Sequence, residues 1–173
     1  MAHVVEAAAS GRSKCRGCGE PIAKGELRFG ERLPNPFADG EMTQWYHTLC
    51  GAYRRPEAFE EILQQPDHNL ESVDVLAAAV AGGLAHQRVV RIGGVERAPS
   101  GRARCRCCRE LIEKEAWRIP LLFFEEGAFN ASGFIHVTCS GQYFETVEII
   151  DRLEHFGKGL AAAEIDELRR LLG

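Results

Sequence analysis

Hydrophobic positions along the chain predict short strands early in each half. Val4-Val5-Glu6 and Val95-Glu96 are β-like lead-ins, and each precedes a polar turn that begins Ser-Gly-Arg. The stretches from Glu26 to Phe29 and from Trp117 to Phe124 are rich in strand-forming residues. The same strand pattern therefore occurs twice.

Helical periodicity follows the strands in each half. Pro56 suits the first turn of a helix that ends near Gln65, and Ser72 can cap a second helix that reaches Leu84. In the second half, apolar residues recur at helical spacing in two segments: Ile149, Leu153 and Phe156, then Ile165, Leu168 and Leu172. We expect a small α+β fold in which each half joins a short β-sheet to two helices.

The charge of the chain is segregated along its length. The net charge is −4 over 173 residues, but residues 10–32 carry six basic and three acidic side chains, and residues 88–118 carry nine and four. Residues 57–75 carry six acids and no base, and residues 145–173 carry seven acids and four bases. Because binding depends on the local field of a surface, the basic blocks allow a nucleic-acid partner despite the negative total.

The chain is an internal duplication. The segment SGRSKCRGCGEPIAKGELR, from Ser10 to Arg28, aligns with SGRARCRCCRELIEKEAWR, from Ser100 to Arg118. A shift of about 90 residues also superimposes the cysteines and one histidine of the two halves. This period predicts two copies of one domain, over residues 1–87 and 88–173.

Each copy contains a metal-ligand pattern of the form Cys-x2-Cys followed by His-x2-Cys. The ligands predicted for the two copies are Cys15, Cys18, His47 and Cys50, then Cys105, Cys108, His136 and Cys139. Two such pairs fill the four tetrahedral positions of Zn²⁺ with protein ligands, and no position is left for water or substrate. We therefore expect two structural zinc ions and no catalytic metal.

The alternative for an isolated Cys-x2-Cys is a redox pair. A redox pair does not require a downstream His-x2-Cys, so the pattern favours zinc. Cys107 has no counterpart in the first copy, where Gly17 stands, and it is either an ordinary packed or surface residue or a competing ligand.

Several classes of protein are disfavoured. The longest apolar stretch, Val75 to Ala85, has eleven residues, whereas a membrane helix needs about 20. The first ten residues do not have the pattern of an ordinary signal peptide. We expect an intracellular protein that binds no membrane, cytoplasmic and nucleoid-associated if bacterial or nuclear if eukaryotic. No catalytic motif is evident, so we do not expect an enzyme.

At these residues the chain resembles the zinc-finger family first described in poly(ADP-ribose) polymerases. The resemblance rests on SGR before the first cysteine, Leu27-Arg28 after it, the segment DGEMTQWYHTLC from Asp39 to Cys50, and the ligand spacing. The second copy keeps SGR and the four ligands but lacks the Asp-Gly. The family recognises strand breaks and nicks in DNA without reading sequence, so the resemblance implies a DNA damage sensing or repair role.

The resemblance also implies DNA contacts. Arg12 and Arg28 would touch the phosphate backbone, as would Arg102 and Arg118. Phe37 and Met42 fall at the apolar positions that stack on a break, and Phe129 is the counterpart in the second copy, with Phe123 and Phe124 as rivals. Neighbouring basic side chains complete the predicted interface: Lys14, Arg16, Arg104 and Arg106.

Two alternatives stay open. The zinc units can instead present the acidic helices to a protein partner, as a scaffold. The arginine clusters also suit structured RNA. For the DNA-binding hypothesis, the expected partner is DNA with breaks, nicks or ends, and a repair enzyme recruited in trans would supply any catalysis.

Overall fold

The computed structural model describes residues 2–173, which form two compact units. The first unit ends at Ala85, and the second is His86–Gly173. Each unit has a three-stranded antiparallel sheet with its strands in sequence order, followed by helices. The small α+β fold predicted from the sequence is confirmed.

The first unit begins with its sheet and ends with three helices. Its strands are β1 (Val4–Ala7), β2 (Leu27–Pro34) and β3 (Glu41–His47). Its helices are α1 (Thr48–Arg54), α2 (Pro56–Leu63) and α3 (Val73–Ala85). Pro56 occupies the first turn of α2, where its missing N–H leaves no hydrogen bond unmade.

Paired residues of β2 and β3 contribute to the core of the first unit. Phe29 and Tyr46 are cross-strand partners on the buried face, and the Phe29 ring lies 5.0 Å from that of Phe59 in α2. Gly51 brings α1 against this face, because a Cβ there would lie 2.6 Å from the Phe29 ring. The close packing of α1 fixes the last metal ligand of the unit relative to the sheet.

The second unit repeats this order with a shorter first strand and a longer last strand. Its strands are β4 (Glu96–Arg97), β5 (Trp117–Glu125) and β6 (Ala128–His136). Short 3-10 helices cover Gln87–Arg91 and Val137–Cys139, and the α-helices are α4 (Ser140–Phe144), α5 (Ile150–Phe156) and α6 (Ala162–Leu172). The core includes the following side chains: Ile119, Ile135, Phe144, Leu153 and Leu168.

The sequence patterns locate some elements and miss others. The predicted lead-ins, β2 and β5, and the four predicted helices are all present, within a few residues at their ends. The sequence reading did not place β3, β6, α1 or α4. In β3, polar Gln44 occupies a buried position beside Tyr46, so the simple apolar alternation of a strand is broken.

Candidate metal centres and nucleic-acid interface

Four side chains converge on one point in the first unit. Cys15 and Cys18 come from the turn after Ser-Gly-Arg, His47 ends β3, and Cys50 lies in α1. Their donor atoms all lie within 4.8 Å of one another, and His47 Nδ1 is 3.4 Å from Cys18 Sγ and 3.8 Å from Cys50 Sγ. Tetrahedral zinc with bonds of about 2.0–2.3 Å requires donor separations of about 3.5–3.8 Å, so the set fits zinc.

The second unit repeats the constellation. Cys105, Cys108, His136 and Cys139 also have donor atoms within 4.8 Å of one another. His136 Nδ1 lies 3.4 Å from Cys108 Sγ and 3.7 Å from Cys139 Sγ. Three thiolates and one imidazole are a donor set that selects zinc over calcium or magnesium, and the two predicted structural zinc sites are confirmed.

Backbone carbonyls set the orientation of both ligand histidines. The His47 Nε2–H group donates to Pro21 O at 3.1 Å, and the His136 Nε2–H group donates to Leu111 O at 3.3 Å. These hydrogen bonds leave Nδ1 of each ring unprotonated and directed at the thiols. Such outer-shell partners hold a ligand histidine in the tautomer that binds metal.

The first cysteine of each site has a lowered pKa, which favours the thiolate that binds metal. A hydrogen bond with the Cys50 thiol lowers the pKa of Cys15 to about 5 against the opposing effect of burial, and the N–H groups of His47 and Gly17 add to it. Burial raises the pKa of Cys105, but the N–H groups of Cys108, His136 and Cys107 outweigh it and lower the value to about 6. Each site therefore offers one thiolate at neutral pH.

The last thiol of each site behaves in the opposite way. A hydrogen bond to Cys15, together with burial, raises the pKa of Cys50. Burial raises the pKa of Cys139, and its hydrogen bond to Cys105 adds to the shift. Zinc must therefore displace protons from these thiols when it binds.

The two sites differ in how far water reaches them. In the first unit Cys15 and Cys50 are buried, and Cys18 and His47 are half-buried. In the second unit only Cys105 is buried, and Cys108 is exposed. Cys107 is outside the four-ligand set: its N–H donates to Cys105 Sγ at 3.3 Å, and its own Sγ is 4.0 Å from Cys139 O.

The predicted basic DNA contacts fall into two groups. Most of them are exposed on the loops around the metal ligands: Arg12, Lys14 and Arg16 in the first unit, and Arg102, Arg104 and Arg106 in the second. Arg16 is held beside β3 because its N–H donates to Trp45 O at 2.9 Å. We call these exposed side chains, which flank the metal ligands in the sequence, the basic collar of each zinc site.

Arg28 and Arg118 form the second group and are 8% and 7% exposed. The Arg28 guanidinium donates to Glu6 at 3.1 Å and to Ser13 at 2.7 Å, and Arg118 makes two hydrogen bonds to Glu96 at 2.7 and 3.0 Å. Both guanidiniums already serve local contacts within their units. A role for them at phosphate stays a prediction.

The predicted apolar contacts also have different environments. Phe37 is 92% exposed in the loop between β2 and β3, whereas Met42 is half-buried in β3 opposite Leu33. Phe129 is half-buried, and its ring lies 4.8 Å from that of Phe124. The three residues predicted to stack on a break are therefore not equivalent.

Sequence reasoning missed two arginine contacts in the first unit, one of which reaches the zinc loop. Arg54 is buried and its Nε donates to Gly17 O at 3.2 Å, which ties α1 to the loop between Cys15 and Cys18. Arg55 donates from Nε to both carboxylate oxygens of buried Glu31, at 2.9 and 3.0 Å. The available signal was Glu31 itself, which falls on the inward-facing phase of β2 together with Phe29.

Among residues 2–173, no helix is both long and apolar enough to cross a membrane.

Comparison with known proteins identifies the first unit. Residues 6–83 match the poly(ADP-ribose) polymerase and DNA-ligase zinc-finger region. The chain is 29% identical over 159 residues to a poly(ADP-ribose) polymerase of Sarcophaga peregrina, in a match that covers 80% of the chain and 16% of the relative. It is 28% identical over 141 residues to poly(ADP-ribose) polymerase 1 of Oryza sativa subsp. japonica, with 77% and 14% covered.

A third relative extends the same result. Poly(ADP-ribose) polymerase 1 of Gallus gallus is 30% identical over 128 residues, covering 66% of the chain and 13% of the relative. The matches thus span between 13% and 16% of the length of these three relatives. Residues 6–83, which make up most of the first unit, thus match the poly(ADP-ribose) polymerase and DNA-ligase zinc-finger family, and the second unit repeats the sheet order and the metal-ligand set of the first.

Proposed function

We propose that the protein binds double-stranded DNA at nicks, breaks or ends, without reading sequence, and that two structural zinc ions hold its DNA-binding loops in place. An intact duplex hides the faces of its base pairs, but a nick or an end exposes one. A protein that offers an apolar side chain to that face, next to cations for the phosphates, distinguishes the geometry of DNA rather than its sequence.

The observation that carries the proposal is the exposure of Phe37. Burying a phenylalanine side chain stabilises a fold by about 1.5–3 kcal/mol. Phe37 does not contribute this stabilisation, because 92% of its surface is in water. Stacking on a base is worth about 1–3 kcal/mol, so an exposed base pair is a suitable partner for the ring. Met42, further along the same hairpin, extends this apolar tip in the proposed interface.

The basic collars supply the rest of the proposed interface. Arg12, Lys14 and Arg16 are exposed around the first zinc site, as are Arg102, Arg104 and Arg106 around the second. Contacts from such residues to phosphate give affinity and orientation for any sequence. Arg28 and Arg118 would support these loops through their local hydrogen bonds. They would contact phosphate only with the small part of each side chain that is exposed.

The zinc ions have a structural role in this proposal. Three cysteines and one histidine fill all four positions at each site, so neither zinc has a position for substrate. The matched family describes a zinc-finger region, which favours a binding protein over an enzyme. Catalysis at the lesion would come from a repair enzyme recruited in trans, inside the cell.

The test is equilibrium binding to a nicked circular duplex and to a covalently closed relaxed circle of the same sequence. We expect tighter binding to the nicked circle and a steep loss of affinity with rising salt. Equal binding to both circles would contradict break recognition. Weak binding that hardly responds to salt would instead favour a protein-interaction role for the acidic helices.

A further inference from the structure

The turns that join the last two strands of each sheet differ between the units. We infer that the first unit alone caps a DNA break, and that the second unit binds the duplex backbone without distinguishing broken from intact DNA. This inference rests on the proposed function. Affinity for DNA and preference for breaks are the two parts of that function, and the inference assigns them to different surfaces.

The first turn is built to hold an apolar side chain in solvent. β2 ends at Pro34 and β3 begins at Glu41, which leaves a six-residue loop closed by the hydrogen bond from Asn35 N–H to Gly40 O at 3.0 Å. Asn35 Oδ1 accepts the N–H of Phe37 at 2.9 Å. These contacts fix the loop backbone, so the exposed ring of Phe37 is presented by an ordered loop.

The second turn has no room for such a residue. β5 ends at Glu125 and β6 begins at Ala128, so the turn consists of two residues. Glu126 and Gly127 both have positive φ, 51° and 79°, as in the tight turns that join adjacent strands. Exposed carboxylates of Glu125 and Glu126 stand at this tip, and they repel phosphate and cannot stack on a base pair.

Phe129 is engaged within its own hairpin. It is the cross-strand partner of Phe124 in the pair next to the end of the ladder, the position that Leu33 and Met42 occupy in the first unit. The two phenylalanine rings lie 4.8 Å apart with an interplanar angle of 53°. Phe129 is therefore the counterpart of Met42, and the loop that carries Phe37 has no counterpart.

Phe123 is the other aromatic candidate, with 49% of its surface exposed. It is paired with Asn130 and shares its face of the strand with Glu125, because residues two apart in a strand lie on the same side. An acidic neighbour on that face opposes close approach to DNA. What the second unit offers DNA is its exposed basic side chains: Arg102, Arg104, Arg106, Arg109 and Lys114.

The first experiment changes one aromatic residue at a time in the full chain. Binding to the nicked and closed circles is compared for Phe37→Ala, Phe129→Leu and Phe123→Ala, after two zinc ions per chain have been verified for each variant. We expect Phe37→Ala to lose about 5- to 150-fold in affinity for the nicked circle, which corresponds to about 1–3 kcal/mol of stacking. We expect the other two variants to keep the preference of the unmodified chain.

The second experiment removes one basic collar at a time. With Arg12, Lys14 and Arg16 changed to Gln, the residual binding should be equal on the two circles. With Arg102, Arg104 and Arg106 changed to Gln, binding should weaken while the preference for the nicked circle remains. Neutral glutamine keeps side-chain length, so the change in each variant is mainly one of charge.

The outcomes separate this inference from the proposed function. A preference that survives Phe37→Ala, or that Phe129→Leu or Phe123→Ala abolishes, overturns the inference and leaves break recognition standing. Loss of all binding on neutralising the first collar overturns the assignment of backbone binding to the second unit. If the unmodified chain shows no preference, the proposed function fails and the inference fails with it.

Discussion

The guanidinium of Arg28 lies 3.6 Å from the centroid of the Trp45 ring. Gly30, the cross-strand partner of Trp45, makes room for the ring, because a Cβ at that position would lie 2.6 Å from it. The second unit has the same arrangement, with the Arg118 guanidinium 3.6 Å from the Phe134 ring. In each sheet, therefore, an arginine lies over an aromatic ring and forms an ion pair with a glutamate of the first strand.

Arg28→Ala is expected to destabilise the first unit. The change removes the cation–π contact, the hydrogen bond to Ser13 and the ion pair with Glu6, which together are worth about 1–3 kcal/mol of unfolding free energy after screening by solvent. Urea unfolding followed by tryptophan fluorescence measures this loss.

The matched control is Glu6→Gln, which removes the ion pair and leaves the ring contact in place. We expect it to cost less than half as much as Arg28→Ala, because Glu6 is half-exposed and its ion pair is screened. Unchanged stability in Arg28→Ala would show that these local contacts contribute little to the stability of the first unit.

Zinc removal is expected to unfold both units. Structural zinc supplies about 10–16 kcal/mol of apparent binding free energy in finger peptides, which is as large as or larger than the stability of an ordinary small domain. The measurement is loss of circular dichroism on titration with a strong chelator. The unmodified chain should release two zinc ions, Cys15→Ser should hold one, and Cys107→Ser should still hold two. One zinc ion in Cys107→Ser would make Cys107 a ligand.

The metal ligands and the fold class could be predicted because the information is local and occurs twice. Cys15 and Cys18 lie in one turn, and the same spacing returns at Cys105 and Cys108. The environment of Arg28 could not be predicted, since it depends on Glu6, Ser13 and Trp45, which only the folded sheet brings together. The tight second turn likewise depends on the pairing of β5 with β6, and the sequence did not show β6.

The zinc ion of the second unit should be released first. Cys108 is exposed and Cys139 is half-buried, whereas their counterparts Cys18 and Cys50 are half-buried and buried. A chelator therefore reaches the second ion more easily. Stopped-flow mixing with a coloured chelator should show two phases of one zinc each, and Cys15→Ser should retain only the fast phase. Retention of the slow phase alone in that variant would reverse the order.

Arg12→Ala and Met42→Ala should affect DNA binding in different ways. Arg12 is exposed beside the first zinc loop, and one lost phosphate contact lowers the slope of log affinity against log salt by about 0.9. This loss is the same for nicked and closed circles, because phosphates are present in both. Met42 is half-buried near the Phe37 loop and carries no charge, so Met42→Ala should leave the salt slope unchanged and reduce only the preference for the nicked circle.

Arg170→Ala is the control for the loss of one positive charge, since Arg170 is an exposed arginine in α6, outside both collars. It should change the salt slope much less than Arg12→Ala. Equal slope changes in these two variants would mean that total charge, and not the collar, governs affinity. Met42→Ala would contradict the roles given to Arg12 and Met42 if it changed the salt slope and left the preference for the nick unchanged. A neutral side chain releases no counterions from DNA, so its loss should not change the slope.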